Sequence, residues 1–151
     1  LTTLKSNFKE AEESLGFLLW KASNRLQRLH AQCLTNLKVT PTQFSLMTCL
    51  VYLSQDGPVT SSRLVRHSGM DKMVVSDLVK SLERKKLLVK KPNPKDGRSF
   101  LISPTALGVR ITNSAVLKVE ALDVVFFKKV GNLKMFHNYL KSLVEVDSLS
   151  K

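Results

Sequence analysis

Apolar residues recur along this chain at the spacing of one helix face in six segments, and in two short runs they crowd together as they do in strands. Leu15, Leu18, Leu19, Ala22, Leu26, Leu29 and Cys33 make the first stripe. Glu10, Glu12 and Glu13 precede it and Arg25 and Arg28 follow, a polarity that suits the helix dipole, so the spacing predicts a long helix over 8–36 that tolerates Gly16. In "TPTQF" Thr40 can cap, Pro41 fits the first helical position and Gln43 completes a capping box ahead of Phe44, Met47, Leu50 and Val51. That second helix stops near "SQDGP". Thr60 then opens a short third helix, "TSSRLVRH", which leaves through Gly69.

Asp71 caps a fourth helix reaching about Lys86, with Val75, Leu78, Val79 and Leu82 facing inward. Met73, Ser76, Asp77, Lys80 and Arg84 then face outward. Two helices joined by a tight turn, the second with an unpaired polar face, form a helix-turn-helix pattern. The β-type runs "LLVKK" and "SFLIS" follow as a hairpin: Pro92 and Pro94 end its first strand, Asp96-Gly97 supplies the turn at the tip, and Lys95 and Arg98 ride on the exposed loop. A long helix over about 105–130 carries Ile111, Ala115, Leu122 and Phe126, Gly131-Asn132 breaks it, and a last helix carries Leu133, Phe136, Leu140, Leu143 and Val144.

These elements predict a mostly α fold with a small β-hairpin. We expect one domain over 1–151, a winged helix-turn-helix in 40–103 flanked by long dimerisation helices in 1–38 and 105–151. The outer helices carry more apolar positions than so small a winged unit can cover, which points to a homodimer whose two reading helices lie about one DNA turn apart.

Charge sharpens the picture. The chain of 151 residues has a formal charge of +12, and residues 60–103 hold eleven Lys/Arg against four Asp/Glu. Such concentration is the mark of a phosphate-binding surface. No apolar run approaches the roughly 20 residues that span a bilayer, and the first residues lack a signal-peptide pattern, so we expect a soluble, cytoplasmic protein with no membrane partner. Cys33 and Cys49 form no Cys-x-x-Cys pair and have no nearby His at zinc spacing, and are read as reduced, partly buried thiols. His30, His67 and His137 are scattered and no nucleophile motif or Gly-rich phosphate loop occurs. We therefore expect no metal, no cofactor and no enzyme activity.

A helix-turn-helix reads the major groove, and a basic hairpin just after it can reach the adjacent minor groove, where negative potential favours arginine. Arg98 is the probe, and Asp96 can pair with its guanidinium. A solvated turn is the alternative for this segment. For the whole protein it is an RNA- or protein-binding winged module without operator-specific DNA binding.

The run "MDKMVVSDLVKSLERKKLLVKKPNPKDGRSFLISPTALG", together with "KVTPTQFSLMTCL", resembles the MarR (multiple-antibiotic-resistance regulator) family of winged-helix repressors. The resemblance covers nearly the whole chain and implies a sequence-specific, double-stranded-DNA-binding transcriptional regulator, a repressor, with helix 71–86 in the major groove and wing 90–101 in the minor groove. It implies that Arg98 enters the minor groove while Asp96 holds it. With Lys95, these two form the DNA-binding set of the wing. Ser61 and Ser62 are expected at phosphate, and Lys72, Met73, Val74, Ser76, Asp77 and Lys80 at bases or backbone.

The chain departs from the family pattern where Val74 replaces a small or hydroxyl residue, Asp77 a basic one, Lys86 a glycine and Val65 an alanine. Asp77 can accept from a cytosine amino group or pair with Lys80. Family members release DNA when a small aromatic anion or other lipophilic effector enters a pocket beside the dimer helices, which makes Phe17, Trp20 and Arg25 the candidate ligand residues. Some relatives sense peroxide through a first-helix thiol, but the matching position here is Gly16.

Overall fold

The computed structural model describes residues 4–145; the outermost positions of the expected helical flanks, 1–3 and 146–151, lie outside the described residues. Helix α1 spans Leu15–Leu34, α2 Pro41–Leu53, α3 Ser61–Ser68, α4 Lys72–Arg84, α5 Ala106–Phe127 and α6 Leu133–Val144. Strands β1 (Val59–Thr60), β2 (Leu88–Asn93) and β3 (Asp96–Pro104) form an antiparallel sheet in the order β1-β3-β2.

Helix starts follow from local chemistry. The Thr40 hydroxyl accepts the Gln43 backbone N–H while the Gln43 side chain accepts that of Thr40, the full capping box ahead of Pro41. Thr60, Asp71, Thr105 and Asn132 each cap the helix that follows them. The first helix begins later than its expected position 8, at Leu15. Ser14 is extended and its hydroxyl accepts the Phe17 N–H, and a separate 3-10 turn occupies Ala11–Glu13. The Glu13 carboxylate accepts the Lys9 backbone N–H instead of extending the helix. At the far end of the helix-turn-helix α4 stops at Arg84, and Lys86 takes the left-handed conformation (φ 59°), the backbone state that glycine adopts without strain.

The core gathers where the helix-turn-helix, the sheet base and the start of α5 meet. Leu46, Met47 and Leu50 of α2, Leu64 of α3, Val75, Val79 and Leu82 of α4, Val59 of β1, Leu88 of β2 and Ile102 of β3 are buried together. Each such side chain stabilises the fold by about 1.5–3 kcal/mol relative to exposure, so this cluster is what holds α4 with its polar face outward. Ile102 pairs with both Val59 and Lys90, which makes β3 the central strand. The two-residue β1 is an addition to the expected hairpin; "PVT" is too short to display an alternation.

The hairpin tip also differs from expectation. Asn93 pairs with Asp96, so Pro94-Lys95 forms the turn and Asp96-Gly97 belongs to β3. The Asn93 side chain accepts the Lys95 N–H and donates to the Ser99 hydroxyl, which fixes the reversal two residues earlier than Asp-Gly chemistry would. Pro92 remains within β2, where an edge strand tolerates its missing donor.

The outer helices pack differently. α1 meets α5 through His30, whose Nε2 lies 2.7 Å from the Asp123 carboxylate, and Ala115 and Val119 of α5 reach the core. Leu19, Leu117, Val124, Val125, Leu143 and Val144 stay exposed in the single chain, and α6 buries no residue.

Candidate nucleic-acid interface

The second helix of the reading unit is amphipathic, and the core takes only one side of it. Lys72, Met73, Val74, Ser76, Asp77 and Lys80 are all exposed, with Met73 at 69%. The Asp71 carboxylate accepts the Met73 N–H at 2.7 Å and so fixes the first turn of α4. Leu78, expected inward, is half-buried at the edge of that side.

Beside α4 the first turn of α3 presents Ser61 and Ser62, the latter's hydroxyl 3.2 Å from that of Thr60. On the far side stands the hairpin. In β3, alternate residues Arg98, Phe100 and Ile102 share one face, which runs from exposed at the tip to buried at the base. Lys90 opposes Ile102 and lies diagonally from Phe100, so its ammonium sits over the Phe100 ring, 4.4 Å from the centroid. Helices α3 and α4 and the hairpin thus enclose an open concavity of about 730 Å³.

This hollow brings together Ser61, Ser62, Lys72, Ser76, Lys80 and Arg98 from the expected set. Arg66, Lys90 and Phe100 also line it, three positions that the sequence reading did not select. The period-two alternation of the two β runs could have placed Lys90, Arg98 and Phe100 on one face; nothing in the helical pattern singles out Arg66. Met73, Val74 and Asp77 lie on the exposed side of α4 outside the lining, and Lys95 stands in the tip turn. Five cationic side chains face an apolar floor of Val65, Val75 and Val79, so the surface can receive a polyanion that also offers flat or apolar edges.

One polar detail differs from the expected geometry, and another is the pair that the spacing of Asp77 and Lys80 offers. The Asp96 carboxylate accepts the backbone N–H of Arg98 at 3.0 Å, so it shapes the chain that carries the arginine, while the guanidinium has no carboxylate within ion-pair distance among the described residues. Asp77 lies 3.8 Å from the Lys80 ammonium, both side chains well exposed.

The candidate ligand residues sit on α1. Phe17 and Trp20 stack with centroids 6.0 Å apart, and Lys21 reaches over the Phe17 ring. A shallow hollow of about 440 Å³ is lined by Trp20, Arg25, Arg28 and Phe126, with Phe17 outside it. Cys33 and Cys49 are free and half-buried; burial pushes both thiols above their ordinary value. Among the described residues no group of three or more His, Cys, Asp or Glu could hold a metal ion, and no helix is long and apolar enough to cross a membrane.

Comparison with known proteins agrees with this geometry. Residues 37–99 match the model of the MarR family. The chain is 33% identical over 141 residues to YdcH of Bacillus subtilis, an uncharacterized HTH-type transcriptional regulator, covering 93% of this chain and 96% of that one. Its fold resembles that of BpsR from Bordetella bronchiseptica, whose DNA binding is regulated by 6-hydroxynicotinic acid, with TM-score 0.82 at 22% identity over 93% of this chain and 100% of the other. A mutant MarR of E. coli complexed with operator DNA gives TM-score 0.77 at 22% identity, covering 86% of this chain and 93% of that chain.

Proposed function

The chain belongs to the MarR family, and from that premise we propose that it is a homodimeric repressor of transcription that binds operator DNA through the concavity between α3, α4 and the hairpin. The observation that carries this is the cationic lining itself: Arg66, Lys72, Lys80, Lys90 and Arg98 converge from three elements on one surface. A charge run on a solvated helix face has no reason to converge in this way.

Helix α4 is of the right width to enter a major groove, with Met73, Val74, Ser76 and Asp77 toward base edges and Lys72 and Lys80 toward backbone. Ser61 and Ser62, in the first turn of α3, take a phosphate with hydroxyl and backbone donors. The hairpin carries Arg98, with Lys95 at its tip, to the neighbouring minor groove. The exposed apolar faces of α1, α5 and α6 close against a second copy, which sets two reading heads on one side of the duplex. A small aromatic anion is the effector class suited to the hollow beside Trp20, Arg25 and Arg28, with Phe17 stacked at its edge. The role is one of binding, without a catalytic step, and it belongs in the cytoplasm with the DNA.

The test is competition. Fluorescence anisotropy with a labelled duplex selected from a random pool should show displacement by unlabelled duplex and little by an A-form RNA hairpin, because A-form RNA hides its major groove from a helix. Equal displacement by the RNA overturns the proposal in favour of an RNA-binding winged module.

A further inference from the structure

Both stretches of chain that connect the reading unit to the outer helices converge on the C-terminal end of α4. The Lys85 ammonium donates to the Lys38 carbonyl oxygen and to Gln43 Oε1, each at 2.7 Å. Lys38 sits in the left-handed conformation between α1 and α2, and Gln43 is buried at 6% exposure. The same amide oxygen accepts the Thr40 N–H, and the amide nitrogen donates to the Ser81 hydroxyl at 3.0 Å, so Gln43 joins Ser81 of α4 and Lys85 just beyond it to the α1–α2 junction. One residue further on, the Lys86 carbonyl accepts the Thr105 hydroxyl at 2.8 Å and the Leu87 carbonyl accepts the Thr105 N–H at 3.0 Å. There α5 begins, and Gly108 approaches so closely that a Cβ would stand 1.9 Å from Leu87 O.

Lys85 is exposed, but its ammonium folds back onto two acceptors, the Lys38 carbonyl at the surface and the part-buried Gln43 oxygen. Charge-assisted bonds that share an acceptor with a buried network hold direction more strictly than a single neutral bond. The lever is long: α4 has 13 residues, about 20 Å, so a tilt of about 10° at its C-terminal end moves its first turn, at Lys72, by about 3.5 Å, roughly one base-pair step, and residues nearer the pivot by less.

We propose that Lys85, through Gln43 and the Lys38 carbonyl, is a positioning residue that sets the angle of α4 against the outer helices and thereby fixes the spacing between the two DNA half-sites. Lys85 reads no base; it determines where the other residues read. This rests on the dimeric DNA-binding role proposed above.

Selection of duplexes from a random pool by full-length protein tests it, with half-site spacing as the readout. Wild type should recover one dominant spacing. Lys85→Met should weaken the preference for that spacing over one base pair more or less by about tenfold, whereas Lys85→Arg, which keeps the donors, should retain it. Ser81→Ala, which removes only the α4 partner of the Gln43 amide, should relax the spacing in the same direction by a smaller factor, and gives the second arm should Lys85→Met lose its helical circular dichroism. Wild-type spacing preference in folded Lys85→Met overturns the proposal, and so does a fall in affinity that is uniform across spacings, since loss of one charge explains that alone. A wild type that selects no duplex sinks the DNA-binding role itself, an outcome distinct from a wild type with one spacing and variants that keep it.

Discussion

Asp77 is the anionic residue on the reading face of α4, and its removal separates two accounts of that face. Its carboxylate lies 3.8 Å from the Lys80 ammonium with side-chain exposures of 73% and 64%, a surface pair worth about 0–1 kcal/mol to folding. Asp77→Ala therefore leaves the urea midpoint close to wild type, because Ala also favours the helix. On DNA the effect is larger. With Asp77 gone, Lys80 neutralises its phosphate without competition from the carboxylate, and the slope of log affinity against log salt steepens by a part of the roughly 0.9 that one full phosphate contact contributes. The gain over wild type should then be greatest at low salt and shrink by less than about 3.5-fold between 50 and 200 mM. Lys80→Ala should do the reverse, lowering affinity with a shallower slope. The assay is anisotropy titration of one selected duplex at four salt concentrations. If Asp77→Ala instead loses affinity and tolerates changes at a C·G pair, the carboxylate is accepting from a cytosine amino group, and the ion-pair account is wrong.

Other expectations concern the scaffold and the thiols. Gly108→Ala gains about 1 kcal/mol of helix propensity but drives a methyl into the Leu87 carbonyl, 1.9 Å from the Cβ position, so overpacking wins and stability falls by about 2 kcal/mol in urea unfolding; an unchanged midpoint contradicts the close contact. Burial raises the Cys33 and Cys49 thiols, so the folded protein holds those protons more tightly than the unfolded chain. The stability this contributes is fully present below the ordinary thiol value of about 8.5 and is lost as pH rises through the folded values. Alkylation at pH 7 should accordingly be slower in native than in urea-unfolded protein, and equal rates would refute the burial argument.

What the chain discloses by itself is what depends on neighbours in sequence. The capping box at Thr40-Gln43, the openings at Thr60 and Asp71 and the exit at Gly69 are all local hydrogen-bond chemistry, and each is legible because its partner lies within a few residues. The polar face of α4 was legible because helical periodicity assigns it once Val75, Val79 and Leu82 are taken as core. The hairpin tip is not legible because two turn signals compete and the Asn93 side chain decides for Pro94-Lys95. The start of α1 is not legible because Ser14, followed by a glycine-containing first turn, outweighs the earlier glutamates. The Gln43, Ser81 and Lys85 network could not be read at all: its members lie on α2, at the end of α4 and just beyond it, and only tertiary packing brings them together. Arg66 belongs to the same class, since its place in the concavity depends on how the hairpin closes over α3.

The most direct measurement is the affinity of wild type and Arg98→Ala for two duplexes that share one selected core but differ in an A·T-rich or G·C-rich flank. Wild type should bind the A·T-flanked duplex more tightly, and Arg98→Ala should bind both more weakly and with the flank preference largely gone. Equal binding by both proteins to both duplexes contradicts an arm that enters the minor groove beside a helix in the major groove.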